Sequence, residues 1–165
     1  VQDVGIKFNM LFCIYPGLET ELLEKNVGAK GLQHVFTYVP PSEMAYPVNF
    51  GMNIADYRKA WDKKYPDGKI EFGFNAVAGY TTALVIEKTL SVATSLDQME
   101  LRKAVFSLSG QLKTLDGTFA LDDTGGQIGE LTPLGQLELD DHGHIKFVAV
   151  YPHEVATGKP VYPRP

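Results

Sequence analysis

The chain has 165 residues, of which 44% are hydrophobic and 21% are charged, so it is long enough to fold around an apolar core and too apolar to be disordered. Its net charge of -5, with lysine and arginine dispersed along the chain, argues against a nucleic-acid surface or a patch for anionic membranes. The lone cysteine, Cys13, excludes an internal disulfide and lies in an apolar run, where a packing role is favoured over a nucleophilic one.

The first quarter of the chain alternates between strand and helix patterns. Residues 8–15 form a nearly continuous apolar run, which predicts a strand covered on both faces. Residues 19–27 predict a short helix that Gly28 ends, with glutamates early and a lysine late to match the helix dipole. Residues 32–39 predict a second strand, which Pro40 stops.

The middle of the chain is predicted to be helical. Residues 40–53 contain prolines and show no periodicity, which predicts an ordered connector. Asn53 is placed to cap a helix over 54–65, whose aromatic residues share one face and indicate packing rather than a cofactor site. Residues 74–93 predict a helix so apolar that it can expose little to water, and Asp97 is placed to cap the next helix.

Beyond residue 110 the hydrophobic period changes to two, which is typical of strands. The predicted strands cover residues 117–121, 134–139 and 145–151, with Asp/Gly turns at 122–126 and 140–143. The proline-rich residues 152–165 predict an extended tail along a surface.

The polar turns offer little chemistry. His142 and His144 stand beside two aspartates, a set that metals use, but their spacing fits the tip of a hairpin whose alternate side chains point apart. The turn at 122–126 is too short for a calcium loop. We expect paired carboxylates only in these turns, where solvation keeps them ordinary acids. The sequence therefore predicts no metal site and no catalytic site, and it contains no phosphate loop or nucleophile elbow.

The start of the long apolar helix is the strongest candidate for binding. Phe74, Asn75 and Ala78 bring an aromatic ring, an amide and a small residue to a backbone amide end, which suits a small anionic or polar ligand. The alternative is that Asn75 serves only as the N-cap of this helix. Local chemistry leaves both interpretations open.

A series of short motifs, each weak alone, follows the order of one family. The motifs are Tyr15-Pro16-Gly17 after the first strand, Pro40-Pro41 after the second, Trp61 in the following helix, Ala78-Gly79-Tyr80 in the long helix, the run 95–105, the turn 119–125 and the tail 151–163. Together they resemble the second half of the Leu/Ile/Val-type, or type I, periplasmic substrate-binding proteins of ABC transporters.

This resemblance implies an α/β fold of two three-layer α/β/α lobes joined by three crossovers, of which the chain supplies only the second half. Residues 1–39 would belong to the second lobe, 40–53 to a crossover connector, 54–133 mainly to the first lobe, and 134–165 to crossover strands and the extended tail. The missing N-terminal half of the same protein would be a partner. Residues 1–7 look like a helix end closed by Gly5, so we expect the chain to begin inside a larger protein.

The function that the resemblance implies is recognition without turnover. The protein would be the extracellular solute-binding component of an ABC importer, in the periplasm or tethered outside the membrane, and would present its ligand to the permease subunits. The ligand would be an amino acid or a related small carboxylic acid, aromatic acids included, in the cleft between the lobes. No cofactor is implied. Two alternatives stay open, namely a ligand-sensing regulatory domain of the same fold and an enzyme of the open α/β class.

Carried over to this chain, the family's ligand contacts fall on two segments. They are the loop after the first strand, with Tyr15, Pro16, Gly17 and Leu18, and the entry to the long helix, with Phe74, Asn75 and Ala78. Relatives that bind an α-amino acid often place an acidic residue in the first loop, where this chain has Gly17 and a displaced Glu19. This departure favours an aromatic or apolar acid over an ordinary amino acid. For Tyr15, covering the core is an equal alternative.

Overall fold

The structure is a computed structural model that describes residues 5–14, 16–70 and 72–165. It separates into two compact units: unit 1 comprises Val1–Val39 and Thr132–Pro165, and unit 2 comprises Pro40–Leu131. The assignment of chain segments to the lobes of a larger fold stays a prediction. Among the helices of the described residues, none has the length and hydropathy that a membrane span requires.

In the segment 6–14 of unit 1, Phe12 forms an isolated parallel bridge with Phe36 of strand β1 (Phe36–Tyr38). The Cys13 N–H donates to the Phe36 carbonyl at 2.9 Å, and the Phe36 N–H donates to the Leu11 carbonyl at 2.8 Å. The prediction of a strand covered on both faces is wrong. Alternate side chains of the segment are 40% to 54% exposed, namely Ile6, Phe8, Met10, Phe12 and Ile14. On the opposite face, Leu11 and Cys13 pack against the core of this unit.

Helix α1 (Thr20–Val27) confirms the predicted first helix, and Gly28 ends it with a left-handed φ of 73°. A short helix, α2 (Ala29–Leu32), follows directly and was not predicted. The predicted strand over 32–39 is therefore shorter, because its first residues belong to this helix and the turn after it. Buried apolar residues spaced three apart, such as Leu32 and Val35, suit a helical turn as well as a strand end.

Strands β4 (Leu134–Leu139) and β5 (Ile145–Tyr151) confirm the predicted bounds and form an antiparallel hairpin, with sheet order β1-β4-β5. The hairpin turn is closed by Asp140, whose Oδ1 accepts from the backbone N–H groups of His142 and His144 at 2.8 Å each. This is the predicted turn chemistry.

The prediction of an extended tail over residues 152–165 is right only in part, because residues 153–155 form a turn. The end of the tail is bound to unit 1 by one buried side chain. Gln136 is fully buried, and its amide donates to the carbonyl of Val161 at 3.0 Å and accepts from the Val161 N–H at 2.8 Å. Arg164 also donates from its guanidinium to the Gly31 carbonyl at 2.9 Å. These side-chain bonds hold the segment in place of the backbone hydrogen bonds between strands, which prolines cannot donate.

Unit 2 contains three longer helices in its described part, α3 (Ile54–Lys64), α4 (Phe74–Val92) and α5 (Gln98–Ser107). Both predicted caps are confirmed. The Asn53 side chain accepts from the Asp56 N–H at 2.9 Å, and Asp97 accepts from the Met99 N–H at 2.9 Å. The connector before α3 contains a single 3-10 turn, Pro41–Glu43.

The prediction that the long helix α4 is buried is wrong. Val77, Leu84 and Thr89 are buried, whereas Ile86 and Leu90 are about half exposed. Within unit 2 the helix packs against α5 and the 3-10 turn Pro41–Glu43. Tyr80 of the same helix stacks on Tyr57 of α3 at a centroid distance of 4.3 Å. Because Ile86 and Leu90 stay about half exposed, hydropathy overestimated the burial of this helix.

A small hairpin of β2 (Lys113–Thr114) and β3 (Gly117–Thr118) follows α5. The strand predicted over 117–121 ends early, with only an isolated bridge between Leu121 and Gln127 beyond it. The predicted turn at 122–126 is present, since Asp122 Oδ1 accepts from the N–H groups of Thr124 and Gly126.

Candidate functional site

The first candidate segment is a 3-10 turn, Pro16–Leu18, in unit 1. Gly17 is buried, and a Cβ on it would collide with the side chain of Thr37 on β1, whose own Cβ would be 2.6 Å away. Thr37 is itself fully buried and donates from Oγ1 to the Ile14 carbonyl at 3.3 Å. The turn is thus held against the sheet by close packing that only glycine permits. Tyr15 lies outside the described residues.

The second candidate segment is the first turn of α4 in unit 2. Gly73 occupies the N-cap position and makes no side-chain cap bond, so the alternative in which Asn75 caps the helix is wrong. The cap lies two residues earlier because the Gly73 carbonyl already accepts from the N–H groups of Ala76 and Val77. Phe74 and Asn75 are exposed, and Ala78 is half-buried. The aromatic ring and the amide are therefore accessible at a helix N-terminus.

Aromatic packing fixes this first turn in place. The Tyr57 ring of α3 stacks on Tyr80 at a centroid distance of 4.3 Å, and the Tyr57 hydroxyl donates to the Ala76 carbonyl at 3.2 Å. Trp61 contacts Phe72 edge to face at 5.8 Å, and the Arg58 guanidinium lies 4.3 Å over the same ring. The aromatic face predicted for this helix as packing is confirmed, and it supports the entry to α4.

The structure assigns the two candidate segments to different units. Gly17 and Leu18 belong to unit 1, whereas Phe74, Asn75 and Ala78 belong to unit 2. Phe74 and Asn75 are neighbours on one turn, and Ala78 lies one turn further along α4. That all of them contact one ligand stays a prediction.

The histidine turn is held by its own backbone. Asp140 accepts from two backbone N–H groups, and this bonding, first from His144, holds the pKa of its carboxyl below the usual range. The His144 ring nitrogen Nδ1 lies 3.8 Å from Asp140 Oδ2, too far for a hydrogen bond. Across the described ranges, no three His, Cys, Asp or Glu residues are grouped as a metal ion would require.

Unit 2 also contains a cluster of ionisable side chains that the sequence did not predict. Asp116, at the tip of the β2-β3 hairpin, and Glu130 form a carboxyl pair beside Tyr46, so the expectation that paired carboxylates occur only in solvated turns is wrong. Burial, then the charge of Asp116 and the hydrogen bond with it, raise the pKa of Glu130 to about 7. The two carboxyls are far apart in sequence, and no local pattern links them.

An apolar groove of about 800 Å³ runs along α4 and α5 in unit 2. Its walls come from both helices and from the segment after β3, and they include Ile86, Leu90, Met99, Val105, Phe106 and Leu121. Lys103 on α5 is directed to Glu100 by a 2.7 Å ion pair, and the Arg102 guanidinium lies 4.5 Å over the Phe106 ring. The groove is an uncovered hydrophobic surface on this unit.

No protein-family model matches the chain, and no curated protein matches it. Among solved structures it is similar to an ABC transporter substrate-binding protein from Desulfitobacterium hafniense, with a TM-score of 0.58 and 17% identity, over 89% of this chain and 38% of that one. It is also similar to an extracellular ligand-binding receptor from Rhodopseudomonas palustris HaA2, with a TM-score of 0.60 and 15% identity, over 89% of this chain and 42% of that one.

The chain thus spans about two fifths of the length of these two proteins. Identities this low show a common fold and leave the function to be argued from the site. The predicted α/β fold class, that of a periplasmic binding protein in part, is confirmed.

Proposed function

We propose that the chain is part of the solute-binding component of an ABC importer and binds a small carboxylic acid. The observation that carries this proposal is the shared fold, over 89% of the chain, with a substrate-binding protein and an extracellular ligand-binding receptor. Both of these are binding proteins, which supports recognition without catalysis. The ligand class is inferred from the chemistry of the two candidate segments.

The entry to α4 supports an acid with an aromatic or apolar body. A helix start without a side-chain cap has backbone N–H groups that a carboxylate can accept from, and the helix dipole favours the negative charge. The exposed Asn75 amide can donate a further hydrogen bond, and the exposed Phe74 ring offers an apolar surface beside it. One small carboxylate with a ring uses all three features.

The turn Pro16–Leu18 supports an acid over an α-amino acid. It carries no acidic side chain that could meet an ammonium group, and Glu19, the nearest carboxylate, is exposed and outside the turn. Gly17 offers only its backbone, because its packing against Thr37 leaves no room for a side chain. In this proposal Tyr15, Pro16 and Leu18 contact the apolar part of the ligand.

The mechanism proposed is ligand-dependent closure of two lobes by a hinge motion. A ligand favours the closed form only by the extent to which it binds that form more tightly than the open one. The closed protein then presents the ligand to the permease subunits, in the periplasm or tethered outside the membrane.

The proposal includes an N-terminal half of the same fold as a partner. Unit 2 supports it, because the apolar surface of α4 and the start of α5 lacks cover in the described part of the unit; the exposed side chains are Ile86, Leu90, Val92, Leu96 and Met99. Soluble proteins seldom leave a continuous apolar surface of this kind open to water.

Calorimetric titration of the protein, purified from the cells that produce it, tests the ligand class. The probes are 4-hydroxybenzoate, phenylacetate, phenylalanine and leucine. We expect the two aromatic acids to bind, and Asn75→Ala to weaken their binding by about tenfold or more, since a hydrogen bond to a charged group contributes about 1.5–3 kcal/mol. Asn26→Ala, which removes an exposed asparagine from α1, is the control and leaves affinity unchanged. Tight binding of leucine with no binding of either aromatic acid contradicts the proposed ligand class.

A further inference from the structure

Three acidic side chains meet where unit 2 ends. The last two residues of this unit are Glu130 and Leu131, after which the chain continues into unit 1. The Tyr46 hydroxyl, from the connector that opens unit 2, donates to the Leu131 carbonyl at 2.7 Å. Gly117 in the β2-β3 hairpin has a left-handed φ of 109°, and a Cβ on it would lie 4.0 Å from both the Glu130 Cα and the Tyr46 ring. The hairpin therefore packs directly on the end of the unit.

The ionisable groups of this cluster are all acids. Asp116 comes from the hairpin tip, Glu130 from the end of the unit and Tyr46 from the connector, so each group raises the cost of charging the others. Asp116 Oδ1 is buried and has no hydrogen-bond partner among the described residues. A carboxyl that holds a proton can donate to a neighbouring carboxylate, whereas two carboxylates can only repel each other.

We propose that Asp116 and Glu130 share one proton, and that this proton fastens residues 128–131 to the β2-β3 hairpin as a latch at the end of unit 2. When the proton leaves, two negative charges face each other beside the Tyr46 ring, and the segment detaches from the hairpin. The latch is thus closed in acid and open above neutral pH.

The direction of the pH dependence follows from the two states of Glu130. Burial and the neighbouring Asp116 raise its pKa from 4.5 to about 7 in the folded protein. Between these values only the closed segment holds the proton, so the latch is fully present below about pH 4.5 and is lost as the pH rises through about 7. Burial likewise raises the pKa of Asp116, and burial followed by the charges of Asp116 and Glu130 raises that of Tyr46 to about 12.

One consequence rests on the proposed function. The segment that leaves a lobe is where a hinge-closing protein absorbs its motion. A latch at Glu130 and Leu131 would therefore make ligand binding depend on pH near neutrality. The test of the latch itself uses no ligand, so its failure is distinct from a failure of the proposed function.

The test combines carboxyl NMR titration with amide hydrogen exchange on the 1–165 chain. We expect the Glu130 carboxyl to titrate near pH 7 and, in Asp116→Asn, at a lower pH that stays above 4.5, because burial, the largest cause of the raised pKa, remains. The Ile128 amide donates to the Ala120 carbonyl at 2.7 Å and reports on the segment. After correction for intrinsic exchange, its opening should rise by roughly 25-fold between about pH 5.5 and pH 8, as expected for a carboxyl whose pKa is about 7 in the closed segment and 4.5 in the open one.

Two variants separate the latch from general pH effects. Glu130→Gln keeps the shape and a donor but cannot titrate, so the rise in Ile128 opening between about pH 5.5 and pH 8 should be much smaller than in the unaltered chain. Any remaining pH dependence comes from Asp116, whose pKa burial still raises. Glu87→Gln removes an exposed glutamate of α4 and should behave like the unaltered chain. A Glu130 midpoint near 4.5, or a rise in opening that is as large in Glu130→Gln as in the unaltered chain, overturns the proposal. The titration midpoint of the Glu130 carboxyl in the unaltered chain tests the proposal even if a variant fails to fold.

Discussion

The two segments proposed to contact the ligand are held in place in opposite ways. The turn Pro16–Leu18 is fixed by its own packing, because Gly17 lies buried against Thr37. The first turn of α4 is held by Tyr57 of α3, whose hydroxyl donates to the Ala76 carbonyl, while Phe74 and Asn75 stay exposed. Gly17 is therefore required by the fold whether or not a ligand binds. Asn75 is exposed and is not the helix cap, so the residue type at this position has no such structural requirement and is the more direct test of function.

The largest effect on stability is expected at the packed turn. Gly17→Ala places a methyl group into the fully buried Thr37, and overpacking of this kind costs about 1–3 kcal/mol of the free energy of unfolding. Urea denaturation of the variant measures the loss. Gly79→Ala is the control, since a Cβ at this helical position meets nothing within 4 Å and should stabilise the protein by about 0.5–1 kcal/mol. Equal effects of the two substitutions would show that the turn is not tightly packed.

A smaller effect is expected where α3 supports α4. Tyr57→Phe keeps the stacked ring and removes the hydrogen bond to the Ala76 carbonyl, which should cost about 0.5–1.5 kcal/mol. Faster exchange of the amides in the first turn of α4 should accompany the loss. Tyr65→Phe is the matched control, because the described residues give its hydroxyl no such bond. The support is disproved if Tyr57→Phe leaves both stability and exchange unchanged.

The smallest effect on stability is expected at the free surface. Asn75→Ala should change the free energy of unfolding by less than about 0.5 kcal/mol, because the side chain is exposed and is not the helix cap. Thermal denaturation without ligand measures this change. A loss above about 1 kcal/mol would assign Asn75 a structural role and remove it from the proposed site.

Features set by neighbouring residues were predictable from the sequence. The hairpin β4-β5 was predicted with its bounds, because a turn of Asp and Gly separates two runs of period two and Asp140 closes the turn locally. The caps at Asn53 and Asp97 were predicted for the same reason, since each accepts from an N–H two or three residues later.

Features that depend on distant residues were not predictable. Hydropathy gave the apolar character of α4 and of residues 6–14, but which faces are covered depends on what packs there. The Asp116–Glu130 pair forms only when the hairpin meets the end of unit 2. Within the candidate site, the position of α4 was predicted, whereas its cap at Gly73 was not, because a glycine cap gives no side-chain signal.

Native mass spectrometry of the protein purified from its producing cells tests the central claim most directly. The proposed function predicts a folded species that carries a small carboxylic acid, releases it on collisional activation and loses it in Asn75→Ala but not in Asn26→Ala. The mass of the released molecule identifies the ligand. A folded protein that carries no small molecule and takes up none of the four probe acids would contradict the proposal that this chain is part of a solute-binding protein for carboxylic acids.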